Sequence, residues 1–130
     1  MSGIECNKIW NIGETLNFSK GDTILSAKEK AKGIYVVLSG SVAMSMNDKP
    51  PITLNGGDYF GEFGSLADVV CHHTYSTLEV CTICLIKTDE LEDLMEEDGS
   101  IARKVYRIFT QELIKRLSEE QISSILSKVS

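Results

Sequence analysis

The strongest constraint on this 130-residue chain is a change of period near residue 88. Residues 14–87 alternate short β-favouring runs with turn signals, at roughly ten-residue spacing. Residues 88–130 instead place apolar side chains at steps of three and four. The first pattern suits extended strands and the second suits helices. The chain is therefore expected to be mainly β with C-terminal α.

The strand half reads as follows. Thr15-Leu16-Asn17-Phe18 alternates polar and apolar, and Gly21-Asp22 turns the chain into Thr23-Ile24-Leu25. After the charged loop Lys28 to Gly33, the run Ile34 to Leu38 is β-branched and aromatic, as a buried strand requires. Ser39-Gly40 turns again and Ser41 to Met46 alternates. Pro50-Pro51 ends that ladder, because proline has no N–H to donate. Ile52 to Leu54, Tyr59 to Gly61, Thr74 to Val80 and Thr82 to Ile86 complete the set. Short, regularly spaced strands of this kind argue for an antiparallel sandwich or barrel.

In the second half, Thr88 or Asp89 is the expected N-cap of a short helix over 88–97. Asp98-Gly99-Ser100 breaks it, and Ser100 is the expected cap of a second helix over 100–129. That helix would be roughly 40 Å long at 1.5 Å per residue. This exceeds the cover a small barrel needs, so part of its apolar face is expected to meet a second subunit in a homodimer. The whole chain, 1–130, is expected to form one domain.

Composition narrows the function. Hydrophobic residues make up 42% and charged residues 25%, enough for a packed core. The net charge of −6 repels phosphate backbones, so no nucleic-acid partner is expected. No apolar run reaches the roughly 20 residues of a bilayer span, and no secretory signal precedes Trp10, so neither a membrane partner nor export is expected. Cys6, Cys71, Cys81 and Cys84 lack disulfide-scaffold spacing, and free thiols in a cytoplasmic protein are expected.

Two stretches carry a resemblance. Gly33-Ile34-Tyr35-Val36-Val37-Leu38-Ser39-Gly40-Ser41-Val42 resembles the β-hairpin of cyclic nucleotide-binding domains. Gly57-Asp58-Tyr59-Phe60-Gly61-Glu62-Phe63-Gly64-Ser65-Leu66 resembles their phosphate-binding cassette. Thr74 to Ile86 and the two helices follow in the family's order, so the resemblance spans about residues 14–120. It implies a double-stranded β-helix, the jelly-roll-like β-roll of catabolite activators and protein-kinase regulatory subunits, followed by two helices.

The cassette's chemistry can be stated from its residues. Glycines, among them Gly61 and Gly64, let the backbone approach a ligand closely. A short turn beginning at Gly64-Ser65 would present unpaired N–H groups to an anion. In the family, the acid matching Glu62 accepts hydrogen bonds from the ribose 2′-hydroxyl, a charge-assisted contact of about 1.5–3 kcal/mol. The resemblance breaks at the family's phosphate-binding Arg. With Thr74 set on the family's strand Thr, Cys71 takes that position; one residue over, His72 does. The sequence has no Arg between Met1 and Ala102. Lys28, Lys30 and Lys32 are the nearby cations, carried on a loop.

The expected function is thus a non-enzymatic regulatory module. It would sense a small anionic ligand, a cyclic nucleotide such as cAMP or cGMP, and relay binding through the C-terminal helix. The expected ligand contacts are Gly61, Glu62, Phe63, Gly64, Ser65, Cys71, His72, His73 and Thr74, with no resident cofactor. The alternative is a degenerate domain serving as a dimerisation or protein-interaction scaffold. A redox, metal or haem sensor using Cys71 with His72 or His73 is a third reading, though adjacent strand residues face opposite ways. Trp10 is read as an N-terminal plug against the roll. The long helix is not followed by a helix-turn-helix, which fits either a free-standing sensor or a fragment of a larger receptor.

Overall fold

The computed structural model describes residues 3–46, 49–61 and 73–116, apart from the side chains of Phe109 and residues 112–116. In chain order, helix α1 (Gly3–Asn11) precedes strands β1 (Gly13–Phe18), β2 (Thr23–Leu25), β3 (Gly33–Ser39), β4 (Val42–Ser45), β5 (Ile52–Leu54) and β6 (Tyr59–Phe60). Strands β7 (Thr74–Thr77) and β8 (Cys81–Lys87) follow, then helices α2 (Thr88–Glu97) and α3 (Gly99–Arg116). The strands form two four-stranded antiparallel sheets, ordered β1-β8-β3-β6 and β2-β7-β4-β5. This is the mainly β roll with C-terminal helices that the sequence predicts.

The side-chain period of two on β3 and β8 decides what lies on each face. Tyr35, Val37, Cys81, Ile83 and Leu85 point between the sheets, where they meet Leu25, Val42, Phe60 and Tyr75. Ile34, Cys84 and Ile86 point the other way, onto Leu91 and Met95 of α2 and Ile101 and Val105 of α3. The register pairs Tyr35 with Leu85 and Ile34 with Ile86, so both strands switch faces in step. These strands are apolar on both faces because each face has its own cover. Full burial of a side chain such as Ile101 contributes about 1.5–3 kcal/mol.

Several local expectations are corrected. Thr88 is not a cap: Lys87 takes that position with no side-chain cap bond, and the Thr88 hydroxyl donates to the Lys32 carbonyl at 3.2 Å. Ser100 is not the cap of α3. Asp98 is, its Oδ1 accepting the amides of Ser100 (3.1 Å) and Ile101 (3.3 Å). A short charged side chain reaches those amides, and the dipole favours its charge there. The run Thr74 to Val80 is not one strand, because the Leu78 amide turns to the Ser41 carbonyl at 2.9 Å. Trp10 is no plug, since 55% of it is exposed while Ile9 and Ile12 pack against the helical cluster. The part of the last helix expected beyond Arg116 lies outside the described residues.

Helix α1 was not anticipated. It is tied to the C-terminal helices by charge. Glu5 accepts from Lys104 Nζ at 2.6 Å and from the Ser100 hydroxyl at 2.9 Å. Lys8 Nζ donates to Asp98 Oδ2 at 3.0 Å.

Candidate functional site

Strand β6 ends at Phe60, Gly61 follows it, and the next described residue is His73, immediately before β7. Both ends are held by one aromatic stack. The Tyr35 and Phe60 rings lie 5.1 Å apart and nearly parallel, and Phe60 lies 4.2 Å from Tyr75 at an interplanar angle of 12°. Tyr35 and Phe60 belong to one sheet and Tyr75 to the other, so the stack pins the two sheets together at this point. Tyr75 is therefore a core residue. The His73 ring tilts against it, 6.3 Å away.

Gly61 has φ +87, a left-handed conformation that side chains with a Cβ rarely adopt. A Cβ there would also lie 2.9 Å from the Gly33 carbonyl oxygen and 3.1 Å from the Tyr35 ring. The position requires glycine on both counts. On the hairpin, Gly40 turns at φ +92, and a Cβ there would press on the Val80 carbonyl and Cys81 Sγ, each at 2.6 Å.

The loop from Ser26 to Lys32 lies along this frame. The Ala27 amide donates to Thr74 Oγ1 at 3.0 Å, at the start of β7. The Ala31 methyl lies 3.5 Å from where a Gly61 Cβ would sit. The Lys32 carbonyl accepts from both the amide (3.1 Å) and the hydroxyl of Thr88, the first residue of α2. One loop thus touches Gly61, Thr74 and the start of a helix. Sequence reading named Thr74 but not this partner, since no local signal links residues 47 apart.

Of the expected ligand contacts, Gly61, His73 and Thr74 lie in this frame. Glu62, Phe63, Gly64, Ser65, Cys71 and His72 lie outside the described residues. With Cys71 and His72 there, the metal and haem reading has no described geometry. Cys81 and Cys84 sit on opposite faces of β8, as their spacing requires, one in each apolar cluster. No described helix is long and apolar enough to cross a membrane.

Two four-stranded sheets, a left-handed glycine just after β6 and a helical pair packed on one face define a β-roll architecture. The sequence model of the cyclic nucleotide-binding domain family matches residues 15–98, and the chain belongs to that family. It is 31% identical over 87 residues to the cAMP-dependent protein kinase regulatory subunit of Debaryomyces hansenii, covering 66% of this chain and 19% of that protein. It is 28% identical over 130 residues to the cGMP-dependent protein kinase of Eimeria tenella, covering 95% of this chain and 13% of that one. The chain thus spans a fifth or less of the length of these relatives. The Thermus thermophilus catabolite activator protein superposes with a TM-score of 0.79 at 15% identity, over 98% of this chain and 61% of that structure.

Proposed function

We propose that this domain senses a cyclic nucleotide beside Gly61 and Thr74 and relays the event through α2 and α3. The observation that carries the reading is the shared Ser26–Lys32 loop. It contacts Thr74 and Gly61 at one side and Thr88 at the other. A ligand that moves this loop moves the start of α2, which packs through Leu91 and Met95 on Ile34 and Ile86. The α2–α3 junction is in turn held to α1 through Glu5 and Asp98. Two alternative settings of these contacts would make a two-state element that a ligand biases. The family match and the relatives' cyclic-nucleotide names favour cAMP or cGMP as the ligand.

Tyr106 and Ile108 of α3 are 51% and 38% exposed, and such residues suit a homodimer built on this helix. The module itself carries out no reaction in this reading, and it acts in the cytoplasm.

Isothermal calorimetry with cAMP and cGMP tests the proposal, with a saturable heat at one site per chain as the expected result. Absence of both heat and thermal shift with either nucleotide at millimolar concentration would overturn it. Light scattering tests the dimer, and a monomer at high protein concentration would remove that part.

A further inference from the structure

Ser26 to Glu29 form a tight turn in which the Glu29 amide donates to the Ser26 carbonyl at 3.1 Å. Lys28 occupies its third position with φ +74, as a type II turn demands. Glycine or asparagine is the usual residue there, since a Cβ is crowded in the left-handed region. Among the described non-glycine residues, Lys28 alone has a positive φ. Strain of this kind gathers where a side chain is kept for use.

The charges around Lys28 fit such a use. Its exposed neighbour Glu29 is bonded within the turn itself, its Oε1 accepting the Ser26 amide at 3.2 Å. Among the described residues no carboxylate forms an ion pair with Lys28, a state it shares with Lys20 and Lys32. Lys28 sits one residue from Ala27, which is bonded to Thr74, and three residues from Ala31, which abuts Gly61. The chain is acidic overall and has no Arg before Arg103, so lysines carry the permanent side-chain cations of its first hundred residues.

We propose that Lys28 is the phosphate-charge residue of this domain, held by its turn so that its ammonium meets the anionic part of a ligand bound beside Gly61 and Thr74. The assignment rests on the cyclic-nucleotide reading above and adds the residue that neutralises the phosphate. An ammonium on a four-carbon stem acts as a point charge rather than a bidentate fork, so the contact is sensitive to salt.

The test is Lys28→Gly, compared with Lys28→Arg and with Lys20→Gln, an exposed lysine on the β1–β2 turn. Glycine relieves the left-handed strain, so the melting temperature without ligand rises. If Lys28 were only a turn residue, nothing else would change. The expected result is that Lys28→Gly binds cAMP about tenfold to a hundredfold more weakly and with a shallower salt dependence. Lys28→Arg keeps most of the affinity, and Lys20→Gln binds as wild type does. Unchanged cAMP affinity in Lys28→Gly overturns the assignment, as does an equal loss in Lys20→Gln, which would mark a bulk-charge effect. A wild-type protein that binds neither cAMP nor cGMP removes the underlying reading, and this assignment with it, before any variant is made.

Discussion

Lys104 places its ammonium 2.6 Å from the carboxylate of Glu5, across a separation of 99 residues. Glu5 is buried, and its second oxygen accepts from Ser100 at 2.9 Å. Helix α1 is therefore held at the junction of α2 and α3 by a carboxylate with donors on both sides, and Lys8–Asp98 forms a second tie with the opposite polarity.

A double-mutant cycle with Glu5→Gln and Lys104→Met measures the first tie. A coupling of about 1 kcal/mol in chemical denaturation is expected, because Lys104 remains part-exposed and solvent screens the pair. Coupling indistinguishable from zero would mean that the Glu5–Lys104 pair does not help to hold α1.

The second tie gives a pH dependence. The Lys8 ammonium, helped by the Ile101 and Ser100 amides, holds the Asp98 carboxyl below its ordinary value of 3.8. A group with a lowered folded pKa stabilises the fold above its unfolded pKa and loses that contribution as pH falls through the folded value. Wild type should thus exceed Asp98→Asn in stability at neutral pH, and the gap should close as pH drops below about 4. Asparagine still caps a helix, so the comparison isolates the charge. A gap that stayed constant down to pH 2 would contradict the assignment.

Gly61→Ala should cost about 1–3 kcal/mol, because the left-handed backbone and the Gly33 carbonyl both oppose a Cβ. The melting temperature reads the loss. A neutral substitution would mean that the bend relaxes easily.

Phe60 is 2% exposed and stacked on both sides, so Phe60→Leu should cost about 1–2 kcal/mol through lost area and lost ring contacts. Tyr75→Phe keeps the stack and should cost less. The reverse order, read from denaturation midpoints, would argue that the Tyr75 hydroxyl outweighs the stack.

The described thiols should differ in reactivity. Cys6 is exposed, whereas Cys81 and Cys84 are buried, and burial pushes the Cys84 thiol up. Alkylation of the native protein, mapped by mass, should label Cys6 quickly and the other two only on unfolding. Rapid labelling of Cys84 would show that the helical cover opens readily.

The roll was legible because its evidence is local. Alternation along Cys81 to Ile86 puts successive side chains on opposite faces wherever the strand lies, and the two apolar clusters follow that parity. Gly61 could be singled out because a bend of this kind has few substitutes for glycine. What Thr74 binds could not be read, because Ala27 comes from a distant loop.

By itself, the sequence determined which segments extend, which coil, and which faces must be covered, since side-chain period and turn chemistry act over a few residues. The tertiary structure alone decided that Gly3–Asn11 is a helix, a length marginal in isolation, and that Asp98 rather than Ser100 caps α3. It also decided that one lysine-bearing loop joins the site to α2. Each of these depends on partners far apart in the chain, whose approach is set by the packing of whole elements.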